Sequence, residues 1–206
     1  VTDLPPESPR TRPRFHVDGG SRLSTEGPQV VLAFEVPYAE LFFRPVGSRF
    51  ESRFDLIFLL LRDGKQAGGE VFSETIELWE RADTRDTATE VRRVLPLDVR
   101  PGRYRAQVTL REPAAGRESR ADWELEVPDY RRLPVSLSTL WVAERTALVQ
   151  GDSIRSLPPP GWILQHEYGE PLPNLSVVGE VYRADAGGAP TQLSWSILGG
   201  REEEVQ

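Results

Sequence analysis

Two histidines, a scatter of carboxylates, several glycine pairs and five tryptophans are the residues whose chemistry could carry a function. His16 alternates into a first strand, and His166 follows a loop with Glu167 and Tyr168 beside it. A metal centre needs several converging ligands, and neither HExxH nor a comparable spacing occurs. There is no G-x-S-x-G, no phosphate-binding loop and no dinucleotide fingerprint. Gly19-Gly20, Gly68-Gly69 and Gly187-Gly188 lack the strand-to-helix setting that aims backbone amides at a phosphate, so they read as turns. Asp83 and Asp86 in the polar loop 81–89 stand nearest to a calcium loop, without its regular ligand spacing. Asp122, Glu124 and Glu126 alternate with apolar residues and read as a solvated sheet face; a carboxylate pair meeting across strands would be invisible at this level. No catalytic residue, metal or cofactor is expected, and the chain is not expected to be an enzyme.

The tryptophans divide by register. Trp123 falls on the inward side of its strand. Trp79 shares a face with Val71, Ser73 and Glu77, opposite Phe72, Ile76 and Leu78, while Trp141 and Trp162 sit in less regular stretches. Trp79, Trp141 and Trp162 are therefore the candidates for a sugar-stacking platform, the alternative to a protein-binding surface.

The elements that must position these residues are strands. In 30–38, Val30, Leu32, Phe34, Val36 and Tyr38 fall on one face and Gln29, Glu35 and Pro37 on the other, a period of two. In 50–62, Phe54, Leu56, Phe58 and Leu60 share a face, while Ile57, Leu59 and Leu61 fill the opposite one. That pattern predicts a central strand covered on both sides. A short strand around Phe15 and Val17 precedes them, ending at Gly19-Gly20, and 41–46 supplies a brief extra one. Asp63-Gly64 is a hairpin signal, followed by a return strand over 70–79 and another over 91–97. Tyr104, Ala106, Val108 and Leu110, then Ala121, Trp123, Leu125 and Val127, form a hairpin with one wet face. The run Leu97 to Tyr104, with Pro101-Gly102 at its turn, has the layout of a tyrosine corner, which gives Tyr104 and Gly102 structural roles.

Seven or so short strands and no convincing helix predict an all-β, immunoglobulin- or fibronectin-III-like antiparallel β-sandwich over 14–130. Residues 1–13 read as a Pro-rich linker or disordered arm, and 131–170 as a linker containing the Pro-rich stretch 156–161. Within it, Leu137, Leu140, Trp141 and Val142 form either a strand or a helical turn. Alternation at Leu175, Val177 and Val181, and again at Leu193, Trp195 and Ile197, predicts a second hairpin over 171–206. It either packs on the first sandwich or opens a second, partial one, the reading preferred here. An unpaired edge there invites self-association.

The totals narrow the partners. A net charge of -7 argues against nucleic acid, which demands a concentrated basic surface. No apolar run approaches the roughly 20 residues of a membrane-spanning helix. Arginine outnumbers lysine 24 to 1, at alternating strand positions such as Arg103, Arg105 and Arg111 that suit a solvated face. Without cysteine, thiolate sites and disulfides are excluded. Methionine is also absent, even at position 1, so the chain is expected to be a mature or excised piece.

The stretches AFEVPYAELFFRPVG (33–47), RFESRFDLIFLLLRDGKQ (49–66), LDVRPGRYRAQVTLREPAAGRESRADWELEVPDY (97–130) and LSTLWVA (137–143) resemble the β-sandwich region of bacterial GWxTD-domain proteins. PLPNLSVVGEVY (171–182) resembles the strand that opens the next sandwich in such proteins. The naming motif is absent, since Gly161-Trp162 is followed by Ile163-Leu164-Gln165. The resemblance implies a bacterial protein of the periplasm, cell envelope or exterior, and supplies no catalytic residues. The expected function is a non-catalytic interaction or structural module that binds a protein partner or neighbouring domain by a sheet face or strand edge. The alternative is a carbohydrate-binding module.

Overall fold

In the computed structural model, residues 12–132, 134–144 and 175–183 are described, with short strands at 197–198 and 204–205; the side chains of 143, 144, 175 and 176 and of those two short strands are not. His166, Trp162, Trp195, residues 1–11 and the Pro-rich stretch 156–161 lie outside the described residues. The architecture is an antiparallel β-sandwich. Its strands are β1 (His16–Leu23), β2 (Pro28–Pro37), β3 (Arg44–Val46), β4 (Arg49–Arg62), β5 (Lys65–Leu78), β6 (Glu90–Asp98), β7 (Gly102–Glu112) and β8 (Arg117–Val127). One sheet has the order β1-β2-β6. In the other, β4 pairs with β5 along one edge and with β7 and the short β3 on its other pairings, and β8 follows β7.

The two inner faces form one core. Val30, Leu32, Phe34 and Val36 of β2 meet Phe54, Leu56, Phe58 and Leu60 of β4, and all eight are fully buried. Phe34 and Phe58 stand edge to face with centroids 6.5 Å apart, and Phe58 makes the same contact with Phe72 of β5 at 6.0 Å. Trp123 lies in this core, as its register requires. The Asp63-Gly64 hairpin forms with positive φ at both residues (51° and 72°), the geometry that twists a two-residue turn to match its strands.

Three expectations are corrected by tertiary pairing. The strand covered on both faces is β2, not β4. Val31 and Ala33, on the outward face of β2, are buried at 1% and 0% exposure against Trp141 and Val178, whereas Ile57, Leu59 and Leu61 of β4 are only partly buried. Gly19-Gly20 and Gly68-Gly69 are not turns; they lie inside β1 and β5. The stretch 135–144, expected as linker, forms strands β9 (Val135–Leu137) and β10 (Trp141–Glu144). These pair antiparallel with β12 (Val181–Arg183) and β11 (Leu175–Val178), so this ribbon packs on the first sandwich. Leu193 and Trp195, the second arm of the hairpin expected over 171–206, lie outside the described residues; Ile197–Leu198 forms β13, which pairs with β14 (Glu204–Val205).

The crossover from β6 to β7 is tied where the tyrosine corner was expected. The Tyr104 hydroxyl donates to the Arg100 carbonyl at 2.6 Å while its ring stays buried. Gly102 opens β7 with φ 147°, and the Arg62 guanidinium lies 3.1 Å from where a Cβ would stand. Tyr104→Phe leaves that carbonyl without its donor and is expected to cost about 1–2 kcal/mol. Urea unfolding should show a lower midpoint with unchanged slope; an unchanged midpoint would remove the bond from the account.

Candidate functional site

The outward face of the β1-β2-β6 sheet sets the buried carboxyl of Glu35 beside the buried Val31 and Ala33. Its register sets four rows across the strands: His16, Glu35 and Arg92; Asp18, Ala33 and Val94; Gly20, Val31 and Pro96; and Arg22, Gln29 and Asp98. The last row is joined by hydrogen bonds, from Arg22 Nε to Gln29 Oε1 at 2.8 Å and from Gln29 Nε2 to Asp98 Oδ1 at 3.1 Å. Trp141 and Val178 cover the apolar middle.

Glu35 is the outlier. It is a carboxyl of 5% exposure in a strand otherwise built for burial. Burial, followed by the hydrogen bond and charge of Glu90, pushes it up to about 8, against the opposing pull of Arg92. Arg92 reaches Glu35 Oε2 at 3.2 Å and also pairs with Glu90. This is the cross-strand carboxylate pair that the one-dimensional pattern conceals: Glu90 stands opposite Pro37, two residues from Glu35 on the same face. The signal was present in the period-two register but needed the β2–β6 pairing to be read. Such a pair holds one proton across neutral pH. Among the described residues, no three His, Cys, Asp or Glu side chains are placed to hold a metal ion.

The ribbon closes the edge of β1. Thr139 donates its amide to the Ser21 carbonyl at 2.9 Å and accepts the Ser21 amide on Oγ1 at 2.8 Å. The Tyr182 hydroxyl accepts the Leu23 amide at 2.9 Å and donates to Glu180. Tyr130 and Ser21 share a hydroxyl–hydroxyl bond of 2.7 Å, and the Tyr130 and Tyr182 rings meet edge to face at 5.1 Å. Burial raises both phenols above their ordinary range, and Glu180 reinforces the shift.

The remaining candidates are dispersed. Trp79 is 62% exposed with the Arg49 guanidinium 4.4 Å over its ring. Trp141 is only 4% exposed and is not a surface candidate, because it supplies the cover for Val31 and Ala33. The Asp86 carboxylate is occupied by the Ala88 amide at 2.8 Å and the Thr89 hydroxyl at 2.5 Å, bonds that hold it below the ordinary range. A shallow groove beside Tyr104 is lined by Arg62, Ala67, Asp98, Val99 and Arg100. No helix among the described residues is long and apolar enough to cross a membrane. Compared with family models, curated proteins and solved structures, the chain matches none.

The raised carboxyl sets a pH dependence. Glu35 ionises near 4.5 when unfolded and at about 8 when folded. Its contribution to stability is fully present below the unfolded value and is lost as pH rises through the folded one. Glu40 and Asp55 are both held below the carboxylate range. For Glu40, Arg14 and Arg12 outweigh burial, and for Asp55 the Ser73 and Arg111 bonds do. Their contributions fade only in more acid solution. Between about pH 5 and about pH 9, wild type is expected to lose about 1–2 kcal/mol relative to Glu35→Gln, a figure discounted for solvent screening. Denaturation midpoints of the two proteins across that window check it; parallel profiles would refute the assignment.

Proposed function

We infer that this chain is a non-catalytic interaction module, an immunoglobulin- or fibronectin-III-like sandwich within a larger exported bacterial protein, as the resemblance to GWxTD-domain proteins implies. Its contact surface is the outward face of the ribbon β9–β12, and the partner is a second copy of the same ribbon. One observation carries this reading: Val135, Leu137, Leu140, Val177 and Val181 are all large, apolar and exposed by 38% to 64% on that one ribbon. Leu137 stands directly opposite Val181 across the pair, so these two adjoin. Contiguous apolar surface of this kind marks contact sites in soluble proteins. An apolar ribbon face is self-complementary, as a two-fold contact requires. The outer face of the larger sheet is by contrast laddered with ion pairs, Arg105 with Asp122 and Arg111 with Asp55, which favour hydration.

The alternative, a carbohydrate-binding module, now rests on Trp79 alone among the described candidates, with one ring face already taken by Arg49. Sedimentation of the full chain separates the two. The interaction reading expects concentration-dependent dimerisation that Leu137→Asp with Val181→Asp weakens by about a hundredfold or more, with the sandwich still folded. A chain that stays monomeric at all concentrations, or dimerises equally well with both substitutions, overturns it. Glycan binding lost in Trp79→Ala would install the alternative.

A further inference from the structure

Gly19 and Gly20 are consecutive and look in opposite directions. A Cβ on Gly19 would stand 2.8 Å from Trp123 Cζ2 and 2.9 Å from Leu32 Cδ2, inside the core. A Cβ on Gly20 would stand 2.5 Å from Thr139 Cβ and 2.7 Å from its Cγ2 and Oγ1, against the ribbon. Neither residue has positive φ, so contact alone, not backbone strain, reserves both positions for glycine.

Thr139 is also the residue that caps β1, taking both the amide and the carbonyl of Ser21. It sits where the ribbon register slips by one: Leu137 pairs with Val181, but Trp141 pairs with Val178, leaving three residues opposite two. The ribbon therefore crosses the β1 edge at a bulge and does not extend the sheet as a further strand. Its apolar hold on the sandwich is a separate cluster of Val31, Ala33, Trp141 and Val178, distinct from the main core, together with the Tyr182–Tyr130 ring contact. Small satellite clusters joined through few hydrogen bonds are where local opening begins.

The geometry points to a strap: residues 135–144 and 175–183 open from the sandwich as one unit while both sheets stay closed, uncovering Val31 and Ala33 and freeing the capped Ser21–Leu23 edge of β1. Opening converts a protected strand edge into an unpaired one. This holds whether or not the outward ribbon face binds a second copy, because it concerns the opposite side of the same ribbon.

Hydrogen exchange by mass spectrometry on the full chain tests it through the two adjacent glycines. In wild type, amides of 135–144 and 175–183 are expected to exchange at least about tenfold faster than those of β4 and β7. Gly20→Ala should lift the ribbon and raise its exchange by about a further tenfold, with β4 and β7 unchanged. Gly19→Ala should raise exchange in β4 and β7. Equal rates in ribbon and sheets, a parallel rise of both in Gly20→Ala, or no change in either overturns the strap. Should Gly20→Ala not fold, Thr139→Val, which removes the acceptor for the Ser21 amide and keeps the side-chain shape, carries the same test with the same outcomes.

Discussion

A strand that is apolar on both faces has to be covered twice, and β2 is that strand. Val30, Leu32, Phe34 and Val36 enter the main core, while Val31 and Ala33 look the other way and are equally buried. One sandwich supplies only the first cover. The second comes from a two-stranded ribbon, an element that is marginal by itself in water. Trp141 and Val178 are buried together with Val31 and Ala33 in one cluster. Each buried large side chain contributes roughly 1.5–3 kcal/mol, so the ribbon and the sheet face stabilise each other.

The same ribbon answers the edge problem. An unpaired strand presents amides and carbonyls that another chain can pair with. At β1 these groups are met by Thr139 and the Tyr182 hydroxyl. The flank between the sheets at β6 and β5 is closed by charge: Arg93 and Glu74, both on inward registers, clasp each other across it. At the β7–β8 turn the Glu112 carboxylate, 1% exposed, accepts from Arg117 at 2.6 Å and from the Phe42 amide at 2.6 Å. Arg117 also donates to the Glu40 carbonyl at 3.1 Å, tying the 38–44 loop to the hairpin. The exposed ion pairs on the outer sheet face are worth little, about 0–1 kcal/mol each. Breaking the buried one would strand a charge and cost about 3–5 kcal/mol.

Polar burial at Glu35 fits this arrangement. A carboxyl placed beside an apolar cover is kept by sharing a proton with Glu90 and a cation with Arg92. The outward sheet face thereby passes from the row that carries Glu35 and Arg92 to the row where Gly20 and Val31 are buried within four residues of each strand. The functional reading belongs to the outside of the ribbon, where Leu137 and Val181 adjoin uncovered.

Period-two patterning settled by itself that the chain would be antiparallel sheet. The inward set of β4, β7 and β8, the Asp63-Gly64 turn and the short reach from Tyr104 to Arg100 all depend on neighbours a few positions apart, and were legible for that reason. What the pattern could not carry is the direction in which each glycine faces and the identity of the doubly covered strand. Trp141 looked like surface because nothing near it in sequence covers it; its neighbours are Val31 and Ala33. Ser21 and Thr139 are separated by 118 positions, and only folding brings them to hydrogen-bond distance. Local sterics and alternation are properties of a segment, whereas cover, edge capping and the pairing of Glu35 with Glu90 are properties of registers between distant segments, and these the tertiary structure alone decided.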